Sequence, residues 1–192
     1  MIKTVPGTTI AFSKKVKTSA FSLISPVLTA TGGLTLSQLT TLTGLGGSTI
    51  QNWIKRGWVV NIPGKKYYEK QVIRIILINM LRGSMQLEKI AVLMNYINGE
   101  VEDTSDDIIP DVDLYNIFCA VICEVDEMGY SETDEYRATI KQILKENNSY
   151  KKEQVHILEN TLLIMILAYQ SAQYKVRMEF EYEMHEVDKY KI

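Results

Sequence analysis

The fold predicted for this chain follows from one stretch, residues 43–58, which reads TGLGGSTIQNWIKRGW. Before it, a Ser/Thr-x-x-Gln capping box at Thr35 predicts a helix to about Leu42, with leucines 36, 39 and 42 buried. The glycines at 44, 46 and 47 permit the positive φ angles of a tight corner. Ser48 is expected to cap a second helix from Thr49 to Arg56, which Gly57 ends. Two short helices joined by a glycine-bearing corner predict a helix-turn-helix.

The second predicted helix has an apolar face and a polar face. Ile50, Trp53 and Ile54 lie at i, i+3 and i+4 and should point into the core. Amide side chains can pair with adenine in the major groove, and cations suit phosphates. The alternative to DNA contact is that these polar side chains form an ordinary solvated helix face. The candidate DNA contacts on this helix are Ser48, Thr49, Gln51, Asn52, Lys55 and Arg56.

Residues 59–68, VVNIPGKKYY, predict a small β-hairpin that turns at Pro63 and Gly64. A hairpin directly after a recognition helix is a wing. Its tip would place Lys65 and Lys66 near a backbone phosphate, with Tyr67 as a possible hydroxyl donor. The alternative is a pair of core tyrosines beside a solvated lysine turn.

Charge is divided unevenly along the chain, although the net charge is only −2. Residues 1–83 contain eleven Lys or Arg and one acid, Glu69, whereas residues 84–192 contain ten bases and twenty-two acids. A basic segment of this kind is typical of a polyanion binder. The acidic remainder should be repelled by the same polyanion.

Around this motif we predict four regions in a mostly α-helical chain. Residues 1–33 form a basic arm, mobile or lying on phosphates, and a short helix over 19–31. Pro26 lies near the middle of this helix or where the helix restarts, and Phe21, Ile24, Val27 and Leu28 face the core. Residues 34–98 form the winged helix-turn-helix, including an almost wholly apolar helix over 70–82 and an amphipathic one over 86–97. Residues 99–110 are an acidic linker. Residues 111–192 form a helical dimerisation or sensor domain.

The helical domain should contain helices over 111–128, capped by Asp111, over 131–146, and over about 151–186. On the last helix, apolar residues alternate steps of three and four from Val155 to Val176, as in a coiled-coil seam. Either its own chain or a second subunit must enclose this seam. We expect a homodimer through the C-terminal helices, because operators usually offer two half-sites.

Neither a metal nor a cofactor is expected. Cys119 and Cys123 are i, i+4 neighbours, which would supply only half a zinc site, so small buried cysteines are the preferred interpretation. The acidic run lacks a calcium-loop pattern. Phosphate-loop, GxSxG and HExxH motifs are also missing from the sequence, so we do not expect an enzyme.

Several of these motifs, in this order, resemble the MerR family of bacterial regulators. They are Thr43-Gly44-Leu45, Thr49-Ile50, Trp53, Lys65-Lys66-Tyr67 and the junction LRGSMQLEKI at residues 81–90. The resemblance implies a winged helix-turn-helix over residues 35–97. Gln51 and Asn52 stand where that family usually has Arg and Tyr for phosphate contact, so those contacts do not carry over. Residues 32–38, 48–58 and 96–99 look more like a bacterial family catalogued only as a domain of unknown function.

The function expected from the sequence is therefore a cytoplasmic transcriptional regulator that binds double-stranded DNA. Lys14, Lys15 and Lys17 before the apolar stretch 20–30 have a signal-peptide outline, but Pro26 and hydroxyl residues interrupt it. No apolar run approaches the ~20 residues that span a bilayer, so no membrane is expected. The alternative function is a non-enzymatic adaptor that binds another protein through a winged-helix scaffold. The operator and any effector stay open.

Overall fold

The computed structural model describes residues 4–13, 16–99, 105, 107–146 and 150–186, and it is mostly α-helical, as predicted. Among these residues the strands form one antiparallel two-stranded sheet. In chain order the elements are α1 (Val16–Ser19), a 3₁₀ turn (Phe21–Leu23), α2 (Ser25–Thr31), β1 (Leu34–Thr35), α3 (Leu36–Thr43), α4 (Gly47–Lys55), β2 (Lys66–Tyr67), α5 (Glu69–Leu81), α6 (Leu87–Asn98), α7 (Asp111–Met128), α8 (Thr133–Glu146) and α9 (Lys152–Met184).

The central element is α5, which is buried on nearly all sides, as its continuous apolar sequence predicted. It packs on α3 at one end of the chain and on α7 and α9 at the other. The buried apolar side chains of both halves therefore form one continuous core.

An ion pair that the sequence did not reveal lies inside this core. Arg74 Nε on α5 is 2.7 Å from Asp111 Oδ2 on α7, and both side chains are buried. Asp111 was expected to cap α7, but Pro110 occupies the cap and Asp111 is the first helical residue. Its carboxylate is used by Arg74 and by Asn98 Nδ2, which donates to Oδ1 at 3.3 Å.

Residues 4–13 of the predicted basic arm pack on the protein body. The Thr9 backbone N–H donates to the Leu42 carbonyl at 2.8 Å, and the Tyr115 hydroxyl donates to the Pro6 carbonyl at 2.8 Å. Lys17 is 2.7 Å from Glu124 and 2.8 Å from Glu127. The other arm lysines, at positions 3, 14 and 15, lie outside the described residues.

Over residues 19–31 the structure has the 3₁₀ turn and then α2, so the helix restarts beside Pro26, which is one of the two predicted arrangements. Pro26 lies in the first turn of α2, where its missing N–H would have no helical partner in any case. Gly32 ends α2 with a φ of 58°. Val27 was predicted to face the core, but it is 51% exposed, so that prediction was wrong.

The end of the acidic linker is folded against α6. Asn98 donates to the Ile109 carbonyl at 2.7 Å and accepts the Ile109 N–H at 3.3 Å, and Ile109 is buried. Residues 100–104 and 106 of this linker lie outside the described residues.

The predicted long terminal helix is present as α9, whose 33 residues extend about 50 Å at ~1.5 Å per residue. The seam from Leu158 to Ala172 is buried within its own chain, whereas Ile164 and Leu167 are exposed. By length and composition, α9 is the one helix in the described part of the chain that could cross a membrane. Core helices of soluble proteins have the same length and composition.

Candidate nucleic-acid interface

Two short helices, α3 and α4, are joined by the three residues 44–46. The predicted capping box is confirmed: the Thr35 hydroxyl accepts the Gln38 N–H at 3.3 Å, and Gln38 Oε1 accepts the Thr35 N–H at 2.8 Å. Gly44 ends α3 with a φ of 69°, and Leu45 is buried beneath the corner. Gly46 has a φ of −69° and Gly47 is helical, so only Gly44 needs a left-handed conformation.

Helix α4 begins earlier than predicted. Gly46 is its N-cap, and the Gly46 carbonyl accepts the Thr49 and Ile50 N–H groups at 3.0 and 3.3 Å. Ser48 is therefore inside the first turn and is not the cap. A glycine in extended conformation can take the cap position, and doing so puts Ser48 on the outer surface.

The outer surface of α4 carries a row of polar side chains. Ile50 and Trp53 are buried and Ile54 is half-buried, which confirms the predicted inner face. Thr49 is half-buried, so it is less accessible than predicted. The exposed residues at i, i+3, i+4 and i+7, named here the α4 row, are Ser48, Gln51, Asn52 and Lys55.

Arg56 lies at the end of α4 and is held by its own protein. Its Nη1 atom is 3.2 Å from Glu88 Oε1, and its guanidinium carbon is 5.0 Å from the centre of the Trp58 ring. Glu88 lies on α6, so local spacing in the sequence gave no signal for this contact. Within the described chain, the Lys55 side chain has neither an ion pair nor a hydrogen bond and remains available to a ligand.

The prediction of a hairpin over residues 59–68 was wrong. Strand β2 pairs instead with β1, with Leu34 opposite Tyr67 and Thr35 opposite Lys66. The first arm of the expected hairpin is held elsewhere, because Val59 is buried and the Val60 carbonyl accepts a hydrogen bond from Gln71 Nε2 at 3.1 Å. Residues 59–65 therefore form a loop that leads into β2.

The three wing candidates have different environments. Lys65 is exposed on this loop. The Lys66 ammonium donates to the Thr31 carbonyl at the end of α2. Tyr67 is half-buried against the core, and burial raises the pKa of its phenol. Lys65 is thus the most accessible of the three for contact with an anion.

The positively charged surface is smaller than the excess of Lys and Arg in residues 1–83 implied. Lys17 and Arg74 form ion pairs with acids of the other half, and Arg56 and Lys66 also have partners within the chain. The ion pairs neutralise Lys17, Arg56 and Arg74, and the Thr31 carbonyl engages Lys66, so a count of residues overstates the number of available cations.

The two cysteines are buried on α7, which confirms the preferred interpretation. Burial raises the pKa of the Cys119 thiol well above its usual range. In the described part of the chain, no group of three His, Cys, Asp or Glu residues is placed to hold a metal ion.

A model of the family described as "Domain of unknown function (DUF1836)" matches residues 27–118. That range extends from α2 into α7 and includes the whole of the α3–α4 corner.

The chain is also similar to "Uncharacterized protein YkrK" of Bacillus subtilis (strain 168). The two are 27% identical over 118 residues, which is 59% of this chain and 49% of the relative. The alignment thus spans about half the length of that relative. No solved structure matches this chain significantly. These similarities support a relation to a family of unknown function.

Proposed function

We propose that this protein is a cytoplasmic, DNA-binding transcriptional regulator that places α4 in the major groove. The observation that supports this most strongly is the α4 row, whose four polar residues face outward from a short helix held by a glycine corner. A helix in the major groove contacts base edges with side chains of this kind.

In this proposal the residues have separate roles. Gln51 and Asn52 read bases through their amide groups, because an amide can donate and accept at once on the edge of adenine. Ser48, Lys55 and Lys65 contact phosphates, which position the protein without reading the sequence.

Three of the predicted DNA contacts already have partners within the protein. They are Arg56, Lys66 and Tyr67. Arg56 and Lys66 must release an internal contact before they bind phosphate. Their removal should therefore weaken DNA binding less than removal of Lys55.

Fluorescence anisotropy with labelled duplex DNA of mixed sequence tests the phosphate contacts. Lys55→Glu should weaken binding on every sequence. It should also lower the slope of log affinity against log salt concentration by about one. Lys141→Glu is the matched control, since it makes the same charge change at an exposed site on α8. If the two variants bind alike, or if the wild type shows no affinity at low salt, the proposal fails.

A protein-interaction adaptor is the second candidate. Support for it comes from the contacts that occupy Arg56 and Lys66, which reduce the positive surface. An adaptor would copurify with a stoichiometric protein partner, and its retardation of DNA would not change on charge reversal at Lys55 and Arg56. Neither candidate includes catalysis.

A further inference from the structure

The last part of α9 extends beyond the body of the protein. Ala172 is the last buried residue of this helix, and residues 174–186 are all exposed. We call residues 174–184 the α9 tail, which is about 16 Å long at ~1.5 Å per residue. Its large apolar side chains are 41 to 63% exposed: Tyr174, Val176, Met178, Phe180, Tyr182 and Met184. An exposed apolar helix surface of this size is typical of a contact with another protein.

Part of this apolar surface continues the core of the protein. Met165, Tyr169 and Ala172 are buried on the inner face of α9. Further steps of four along the same face reach Val176 and Phe180, each 41% exposed, which the helices that the structure describes do not cover. A helix face that is apolar for its whole length should be covered for its whole length. Within the described residues, the part of this face beyond Ala172 has no cover.

The charges on the α9 tail are arranged in two blocks. Lys175 and Arg177 come first, and Glu179, Glu181 and Glu183 follow. Acidic residues near the C-terminus of a helix interact unfavourably with the helix dipole. A second helix in the opposite direction would bring cations beside these acids. A parallel one would place acids beside acids.

An antiparallel second copy of the α9 tail would cover the apolar face and would place a cation beside an acid. If Phe180 lies opposite Phe180 of the second copy, then Val176 lies opposite its Met184. Beside this contact, Arg177 then lies near Glu181 of the second copy. Lys175 is on the far side of the helix, where its ammonium is 3.9 Å from Glu179 of its own chain. One two-fold axis thus pairs the apolar residues and brings Arg177 of each copy near Glu181 of the other, which is the self-complementarity that a homodimer requires.

We propose that the α9 tail binds the α9 tail of a second copy of this chain in an antiparallel contact centred on Phe180. The contact is smaller than a standard interface of ~1,200 Å² or more, so the dimer is weak and depends on concentration. This dimer is independent of DNA binding by α4, and it is tested without DNA.

Sedimentation equilibrium of the full chain over a wide range of concentration provides the first test. The wild type should form dimers, and Phe180→Lys should raise the dissociation constant at least about a hundredfold, since a cation would then face a cation on the axis. Val92→Lys is the matched control, because Val92 is 70% exposed on α6 and should leave dimerisation unchanged. A monomeric wild type, or dimers of equal strength in both variants, would overturn the proposal.

Charge exchange tests the direction of the two helices. Arg177→Glu and Glu181→Arg should each weaken dimerisation by about tenfold, whereas a mixture of the two variants should form heterodimers as strong as the wild type. If the mixture dimerises no more strongly than either variant alone, the antiparallel arrangement is contradicted.

Disulfide formation gives an independent test, because two cysteines join only when their Cβ atoms are about 3.5 to 4.5 Å apart. Phe180→Cys should crosslink to itself on mild oxidation, and Met184→Cys alone should not. Equal crosslinking at both positions would indicate a parallel pair and overturn the proposal. The native cysteines are buried and do not interfere.

Discussion

The buried ion pair between Arg74 and Asp111 allows a quantitative test of how the two halves of the protein are joined. The side chains are 8% and 9% exposed, and the charged atoms are 2.7 Å apart. Burial raises the pKa of Asp111, while Arg74 and Asn98 act in the opposite direction. Within the described chain, Asp111 is the acid paired with this buried guanidinium.

Replacement of Asp111 by alanine should therefore be costly. It would leave the Arg74 guanidinium buried without its counter-charge, which lowers the free energy of unfolding by about 3 to 5 kcal/mol. In a chain of this size, about 1 kcal/mol corresponds to roughly 2 to 4 °C, so Tm should fall by roughly 6 to 20 °C. The double variant Arg74→Met, Asp111→Leu removes both charges and should recover most of this loss.

Urea denaturation followed by circular dichroism measures these differences, with calorimetry for Tm. Glu124→Ala is a suitable control, because that acid pairs with the solvent-exposed Lys17 and its loss should change the free energy of unfolding little. A loss below about 1 kcal/mol in Asp111→Ala, equal to that of the control, would refute the reasoning. So would a double variant less stable than Asp111→Ala alone.

Three further predictions concern packing, capping and thiol reactivity. A Cβ atom at Gly83 would lie 2.8 Å from Ala172 Cβ, so Gly83→Ala should cost about 1 to 3 kcal/mol in urea denaturation, and Ala172→Gly in the same chain should recover part of it. Thr35→Ala removes the cap of α3 and should cost about 1 kcal/mol; no change in the urea midpoint would contradict the cap assignment. Cys119 and Cys123 should react with Ellman's reagent only in denaturant, because both are buried, and rapid reaction of the native protein would contradict their burial.

The parts of the fold that could be predicted depend on local patterns. The capping box at Thr35 involves residues three apart, and the inner face of α4 follows from the spacing of Ile50 and Trp53. The apolar sequence of α5 required burial on all sides, and the structure places it at the centre. In each case the signal lies within one or two helical turns, where spacing alone fixes which side chains share a face.

The parts that could not be predicted depend on residues far apart in the sequence. Nothing near residue 66 indicates that β2 pairs with β1 instead of forming a hairpin. The contact between Arg56 and Glu88 joins residues 32 positions apart, and it changes the site by engaging a cation. The prediction of the α4 cap failed for a different reason. Gly46 and Ser48 are both acceptable caps, and the geometry of the corner decides between them.

Selection of bound sequences from random duplex DNA, carried out in parallel with the wild type and with Asn52→Ala, tests the central claim most directly. We predict that the wild type enriches one defined motif, repeated with two-fold symmetry if dimers bind. Asn52→Ala should lose about 1 to 3 kcal/mol of preference at particular base pairs while it retains non-specific affinity. Recovery of no motif by the wild type, or of the same motif with the same strength by Asn52→Ala, would contradict DNA reading by α4.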